Sequence, residues 1–119
     1  MPHLVIEITG NIAVNQPELL AGANAALLAS GEFKEPDIKS RCVVLQTYRQ
    51  GTEARNDGFI HATLSILSGR ENPAKKALAE AVRDAIVAAL PDNRGYGVQV
   101  SVDVRDMQRD IYAKSVLPA

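Results

Sequence analysis

A chain of 119 residues holds one hydrophobic core and not two. It carries 13 Lys and Arg against 14 Asp and Glu, a formal net charge of -1, which excludes a bulk electrostatic nucleic-acid binder. The single cysteine, Cys42, excludes an intrachain disulfide framework and a multi-cysteine zinc site. Aromatic residues are 4% and Trp is absent, which argues against a stacking platform for bases or sugars. No apolar run approaches the roughly 20 residues of a membrane span, and no charged-then-apolar leader opens the chain. A soluble cytoplasmic protein is the expectation.

The first element is a strand, His3 to Ile8, with Leu4, Ile6 and Ile8 on one face and His3, Val5 and Glu7 on the other. A helix follows. Asn15 is placed to cap it, Glu18 stands three residues on as a capping-box partner, and Pro17 falls in the first turn. Leu19, Leu20, Ala23, Ala26 and Leu27 share its apolar face, and Gly31 is a C-terminal stop. A second strand runs from about Lys39 to Tyr48. Its centre, Cys42 to Leu45, is apolar on both faces and predicts burial on both sides. Residues Gln50 to Gly58 read as a polar loop, with Gly51 and Asn56-Asp57-Gly58 as turn formers.

A third strand, Phe59 to Leu67, puts Ile60, Ala62, Leu64 and Ile66 on one side. The second helix has Asn72 as its cap and Pro73 at its first position. Apolar residues recur from Ala74 to Leu90 at helical spacing, and Pro91 ends it. A last strand, Val98 to Val104, alternates valine with polar residues. Residues 109 to 119 receive no assignment.

The order is β-α-β followed by β-α-β, in a single domain over residues 1–119 with pseudo-repeats at about 2–49 and 59–105. Pro17 and Pro73 lie at matching places in the two halves. Each half is a crossover unit with parallel strands. Together they predict an α+β fold, a four-stranded sheet with both helices on one face. The uncovered face then calls for subunit association in a closed cyclic oligomer.

No GxGxxG, phosphate loop or HExxH is present, and the two histidines, His3 and His61, lack ligand spacing. What stands out is the start, Met1-Pro2. Removal of the initiator methionine before a small residue would leave Pro2 as an amino-terminal secondary amine. Such amines titrate near 7.7–8.0, roughly, and burial or nearby cations lower them further. A base poised near neutral pH suits proton abstraction beside a carbonyl. A retained Met1 would leave Pro2 with an amide nitrogen and no basicity.

Several stretches together carry a resemblance. They are Met1-Pro2-His3 running into a strand, Asn11-Ile12, Ala29-Ser30-Gly31-Glu32-Phe33, Asp37-Ile38-Lys39-Ser40-Arg41, Asn56 to Leu64, and Gly69-Arg70. The chain resembles the tautomerase superfamily and, within it, the 5-carboxymethyl-2-hydroxymuconate Δ-isomerase family, well over residues 2 to 90 and loosely in the last strand. The resemblance implies a homotrimer of tandem β-α-β repeats with a mixed sheet, working without metal or organic cofactor in aromatic catabolism. It implies that Pro2 takes a proton from a 2-hydroxy group and redelivers it at carbon. Arg41 and Arg70 match family arginines that bind carboxylates and polarise the conjugated system. Lys39 falls where relatives often carry another arginine, and a lysine cannot form the planar bidentate clamp.

Plainer readings stand beside these. Arg41 could be an interface ion-pair partner and Arg70 an ordinary loop charge. His61 reads as structural, Cys42 as inert packing, and Lys75, Lys76, Glu80, Arg83 and Asp84 as a solvated helix face. Two other functions remain open at this point. One is a tautomerase of a phenylpyruvate-like enol acid, and the other a non-catalytic trimeric binding protein.

Overall fold

The computed structural model describes all 119 residues. Strand β1 is His3–Thr9, helix α1 Gln16–Ala29, β2 Lys39–Leu45, β3 Gly58–Leu67, α2 Asn72–Ala89 and β4 Val98–Met107. Single turns of 3-10 helix occupy Glu35–Asp37 and Arg109–Ile111. The four strands form one mixed sheet in the order β2-β1-β3-β4. β1 is parallel to β2 and β3 is parallel to β4, while β1 and β3 are antiparallel. This is the α+β sheet that the two crossover patterns predict.

The core lies between the sheet and the helices. Leu4, Ile6 and Ile8 of β1 and Ile60, Ala62, Leu64 and Ile66 of β3 are buried, as their period of two requires. They meet Leu19, Ala23 and Leu27 of α1 and Leu78, Val82 and Ile86 of α2. Each fully buried Leu or Ile contributes about 1.5–3 kcal/mol relative to exposure. The valines of β4 pack half-buried against this cluster. Asn15 caps α1, its Oδ1 accepting from the Glu18 amide at 3.0 Å. At α2 the cap is Glu71, without a side-chain bond, and Asn72 is the first helical residue. The helix thus begins one residue earlier than Pro73 suggested, and Pro73 stands in the first turn, where no N–H is needed.

Two further expectations need correction. β2 is an edge strand rather than one buried on both faces, and Val43 and Val44 are each 44% exposed. Within its apolar centre Cys42 is half-buried against the core, whereas Val43 and Val44 lie largely open within the single chain. Gly58 is the first residue of β3 rather than part of an open turn. A Cβ there would meet Thr9 Oγ1 at 2.6 Å, Ile12 Cγ1 at 2.8 Å and Asn11 Oδ1 at 2.9 Å. Several polar groups around this joint are engaged. Thr9 Oγ1 accepts from the Phe59 amide at 3.1 Å. Asn11 Nδ2 donates to the Asn56 carbonyl at 2.9 Å, and the Asp57 carboxylate accepts from the Gly97 amide at 2.9 Å. Asn11-Ile12 and Asn56-Asp57-Gly58 are therefore one joint, which ties the end of β1 to the start of β3.

The face turned away from the helices carries His3, Val5 and Glu7 of β1. Arg41 sits across from Val5 and Lys39 across from His3 in the β1–β2 register. Arg41 Nη1 donates to His3 Nδ1 at 3.3 Å. An accepting Nδ1 is a neutral imidazole. Burial, and then the charges of Arg41, Lys39, the chain-start amine and Lys114, all hold the His3 pKa below its ordinary 6.5. Farther along, His61 Nδ1 and Ser101 Oγ lie 2.7 Å apart.

Two outcomes follow from this packing. Gly58→Ala should destabilise the fold by about 1–3 kcal/mol, the usual penalty of overpacking, read from denaturant midpoints; a change within ~0.3 kcal/mol would mean that the joint is slack. For His3, a depressed folded-state pKa means that the unfolded chain binds more protons in the window between that lower value and 6.5. Its share of stability is therefore full above pH 6.5 and is lost as pH falls through the lower folded value. Urea midpoints between about pH 8 and about pH 5 should show a decline that is shallower in His3→Gln. An identical decline in both proteins would assign the effect elsewhere.

Candidate active site

Because β1 is paired on both sides, the chain start is held. Pro2 is buried, and its carbonyl accepts from the Lys39 amide at 3.1 Å, continuing the β1–β2 ladder by one residue. The groups that gather here come from four separate parts of the chain. Asp37 ends the 3-10 turn before β2 and Lys39 is the first residue of β2, Arg70 follows β3, and Lys114 belongs to the segment after β4.

Each side chain has a definite partner. Lys39 Nζ donates to the Asp37 carbonyl at 2.9 Å. Lys114 Nζ lies 3.3 Å from Asp37 Oδ1 and 2.7 Å from Met1 Sδ. Gly69, at a φ of 125°, makes the bend after β3 that a side chain would resist. Arg70 follows it and is more committed than a loop charge. Its Nε donates to Glu32 Oε1 at 2.7 Å, its Nη2 to the Glu32 carbonyl at 3.2 Å and its Nη1 to the Leu67 carbonyl at 3.4 Å. Its guanidinium carbon lies 4.9 Å from the centre of the Phe33 ring, a cation–π contact.

The electrostatics converge on the amino group of the chain start. Its pKa lies below the usual value of 8.0. Burial is the main cause; Asp37 opposes the shift, while Arg70, Lys114 and Lys39 add to it. Desolvation and nearby cations that lower an amine in this way leave more of it as the free base.

The structure thus brings Pro2, Lys39 and Arg70 to one place and sets Arg41 beside them on the open face, bonded to His3. Reasoning from sequence missed Asp37, Glu32 and Lys114. Asp37 and Glu32 stand inside stretches that carry the resemblance, but Lys114 lies in a tail without any periodic signal. Lys75, expected on a solvated helix face, pairs instead with Asp106 of β4 at 3.2 Å. Cys42 is half-buried against the core, and burial pushes its thiol pKa up. No cavity of the single chain is lined by Pro2, Lys39, Arg41 or Arg70. An apolar cavity of about 390 Å³ between α1 and α2 is lined largely by alanines. No group of three or more His, Cys, Asp or Glu side chains is arranged to hold a metal ion, and no helix is long and apolar enough to cross a membrane.

Comparison with known proteins identifies the family. The model of the family described as 5-carboxymethyl-2-hydroxymuconate isomerase matches residues 2–116. The 5-carboxymethyl-2-hydroxymuconate Delta-isomerase of Escherichia coli is 30% identical over 99 residues, which are 79% of each chain. The crystal structure of a 5-carboxymethyl-2-hydroxymuconate isomerase from Deinococcus radiodurans R1 superposes with a TM-score of 0.81 at 28% identity, covering 96% of this chain and 88% of that one. The fold alone extends further. A fused 4-OT symmetric trimer matches with a TM-score of 0.71 at 17% identity, over 90% of this chain and 86% of that one. The sheet order, the held chain start and these matches place the chain in the 5-carboxymethyl-2-hydroxymuconate isomerase family, within the tautomerase superfamily.

Proposed function

We propose that the chain works, after loss of Met1, as a cofactor-free isomerase with Pro2 as its amino-terminal base. Its substrate is a 2-hydroxymuconate polycarboxylate of aromatic catabolism, 5-carboxymethyl-2-hydroxymuconate being the one its relatives point to. One observation carries this reading: a buried chain start ringed by Lys39, Arg70 and Lys114, whose amine is depressed by burial and by those charges. The amine in the structure belongs to Met1, and the Pro2 nitrogen is one residue further along the same backbone, next to a carbonyl that accepts from the Lys39 amide. As the free base it takes the proton of the 2-hydroxy group, and the resulting pyrrolidinium returns that proton to carbon. The electron pair moves along the diene, and the developing dienolate is stabilised by the surrounding cations.

The cations divide the remaining work. Lys39 offers a point charge to a carboxylate. Arg70, bound to Glu32 on two nitrogens, acts through its field more than as a free clamp. Arg41 stands on the open face, and a homotrimer built on that face would bring it into a pocket between subunits. The exposed Val43 and Val44 of the edge strand and the lack of a chain-start cavity within one chain support such an assembly. A second reading has one observation in its favour. Because Glu32 engages Arg70, fewer free cations face the site, and a phenylpyruvate-like monocarboxylate enol would need fewer. A non-catalytic binder on this fold would have no use for a depressed amine.

The test is turnover of 5-carboxymethyl-2-hydroxymuconate and of a monocarboxylate enol by protein whose intact mass shows Met1 removed. Pro2→Ala should retain the fold and lose about 10²–10⁴-fold in kcat, and protein retaining Met1 should lose as much. Wild-type rates in either would assign the base elsewhere, and a preference for the monocarboxylate would favour the second reading. The pH profile carries a sign. Activity needs the neutral amine, so kcat/KM should rise with pH through a midpoint below the ordinary 8.0. Asp37→Asn removes the opposing charge and should move the midpoint lower, whereas Arg70→Ala should move it higher. Sedimentation should give a trimer, and a stable monomer at micromolar concentration would overturn the shared pocket.

A further inference from the structure

The segment after β4 returns to the opposite end of the chain. From Met107 it makes one turn of 3-10 helix at Arg109–Ile111 and then runs without regular structure. Arg109 pins the turn, its Nε donating to the Ser68 carbonyl at 2.6 Å. Three residues past that turn, Lys114 reaches the chain start. The contact is between residues 113 positions apart. Nothing in the tail's own pattern accounts for it, because Ile111, Val116 and Leu117 on either side are 75–88% exposed.

The surroundings of this ammonium differ from those of the other two cations. Arg70 has Nε, Nη1 and Nη2 each engaged by protein oxygens. Lys39 is turned onto the Asp37 carbonyl. Lys114 has one protein oxygen, Asp37 Oδ1 at 3.3 Å, and its shortest contact is with the thioether of Met1 at 2.7 Å. A thioether is a weak acceptor. A chain that has lost Met1 has no sulfur there, which leaves the ammonium without its shortest contact at the chain start. A carboxylate in that place would receive a charge-assisted bond in exchange for a weak one.

We propose that Lys114, delivered by the returning C-terminal segment, binds a carboxylate of the substrate beside Pro2, with Asp37 holding the ammonium in position while the site is empty. This deepens the isomerase reading and rests on it for the identity of the ligand. It makes the C-terminal segment a component of the site rather than an appendage. It also gives the site a cation that does not depend on Arg70 and is held only by the longer bond to Asp37, and so favours a polycarboxylate over a monocarboxylate.

The experiment uses the full chain, shown by mass to begin at Pro2, and calorimetric titration with tricarballylate, an inert tricarboxylate. Lys114→Ala should weaken binding about tenfold or more, since a hydrogen bond to a charged group is worth at least one decade. Lys114→Arg should recover most of the loss. Lys76→Ala, a cation on the exposed side of α2, controls for net charge. Equal losses in the two alanine variants would overturn the proposal. Asp37→Asn separates binding from mere anchoring of the tail. If Lys114 binds substrate, removing the competing carboxylate should tighten tricarballylate binding. If Lys114 only anchors the segment, Asp37→Asn should weaken binding as Lys114→Ala does, and the proposal falls. Turnover of 5-carboxymethyl-2-hydroxymuconate by the same proteins separates the two readings. An inactive wild type that still binds tricarballylate through Lys114 would sink the isomerase and leave the subsite standing. An active wild type matched by Lys114→Ala in kcat, KM and affinity would sink the subsite alone.

Discussion

The pairing of β1 on both of its edges is the constraint on which the rest depends. A first strand beginning at residue 3 would ordinarily fray. Here β2 runs beside it in parallel from His3↔Lys39 to Thr9↔Leu45, and β3 runs antiparallel from His3↔Ser65 to Ile8↔Ile60. Leu4, Ile6 and Ile8 are buried beneath the helices. The chain start is therefore fixed by a ladder and by a core at once. An α-amino group so fixed can be desolvated and aimed, which a mobile one cannot. The thermodynamic cost of ordering a terminus is met by the strand and its core rather than by contacts of the amine.

With the start held, parallel pairing decides what surrounds it. A parallel neighbour begins at the same end of the sheet, so the residues that open β2 come to the residues that open β1. That is why Asp37, Lys39 and Arg41 collect around Pro2 and His3 without any closeness in sequence. The antiparallel strand contributes from its far end. Leu67 finishes β3 at this same edge, and Ser68-Gly69-Arg70 turns back beside the end of α1, where Glu32 and Phe33 receive the guanidinium. The other end of β1 has the opposite character. Thr9, Asn11 and Gly58 are packed tightly, with their polar groups consumed by backbone partners. One end of the sheet is thus a structural joint, and the other keeps charged groups near a basic nitrogen.

Legibility in the sequence follows the range of the interaction. The parity of Ile60 to Ile66 and the Asn15 cap depend on residues within four positions, and both stand in the structure as the pattern implies. The edge position of β2 was not legible. Cys42 to Leu45 reads as doubly buried because periodicity reports apolarity, not what covers it. Gly58 reads as a turn residue because turn formers and close-approach glycines have the same composition; only the Thr9, Asn11 and Ile12 neighbours separate them. Of the site, Pro2, Lys39, Arg41 and Arg70 were named from sequence through the family resemblance. Their partners were not. The contacts of Arg70 with Glu32 and of Arg41 with His3 each span 38 residues. No local rule reaches that far.

The balance of charge at this end is finer than the formal total of -1 suggests. Three cations approach the chain start, and two carboxylates, Asp37 and Glu32, approach those cations. Without the carboxylates, mutual repulsion would push the cations apart into water and the local field would be lost. If the carboxylates neutralised them fully, an anionic substrate would find no attraction. The geometry lies between these limits because the pairing is uneven. Glu32 holds Arg70 by a short charge-assisted bond, while Asp37 holds Lys114 at the longer 3.3 Å and offers Lys39 only its carbonyl. Arg70 is therefore committed to architecture and contributes through its field. The two lysines each have a single protein oxygen as partner, and on the reading proposed above they are the side chains whose charge an incoming carboxylate would meet.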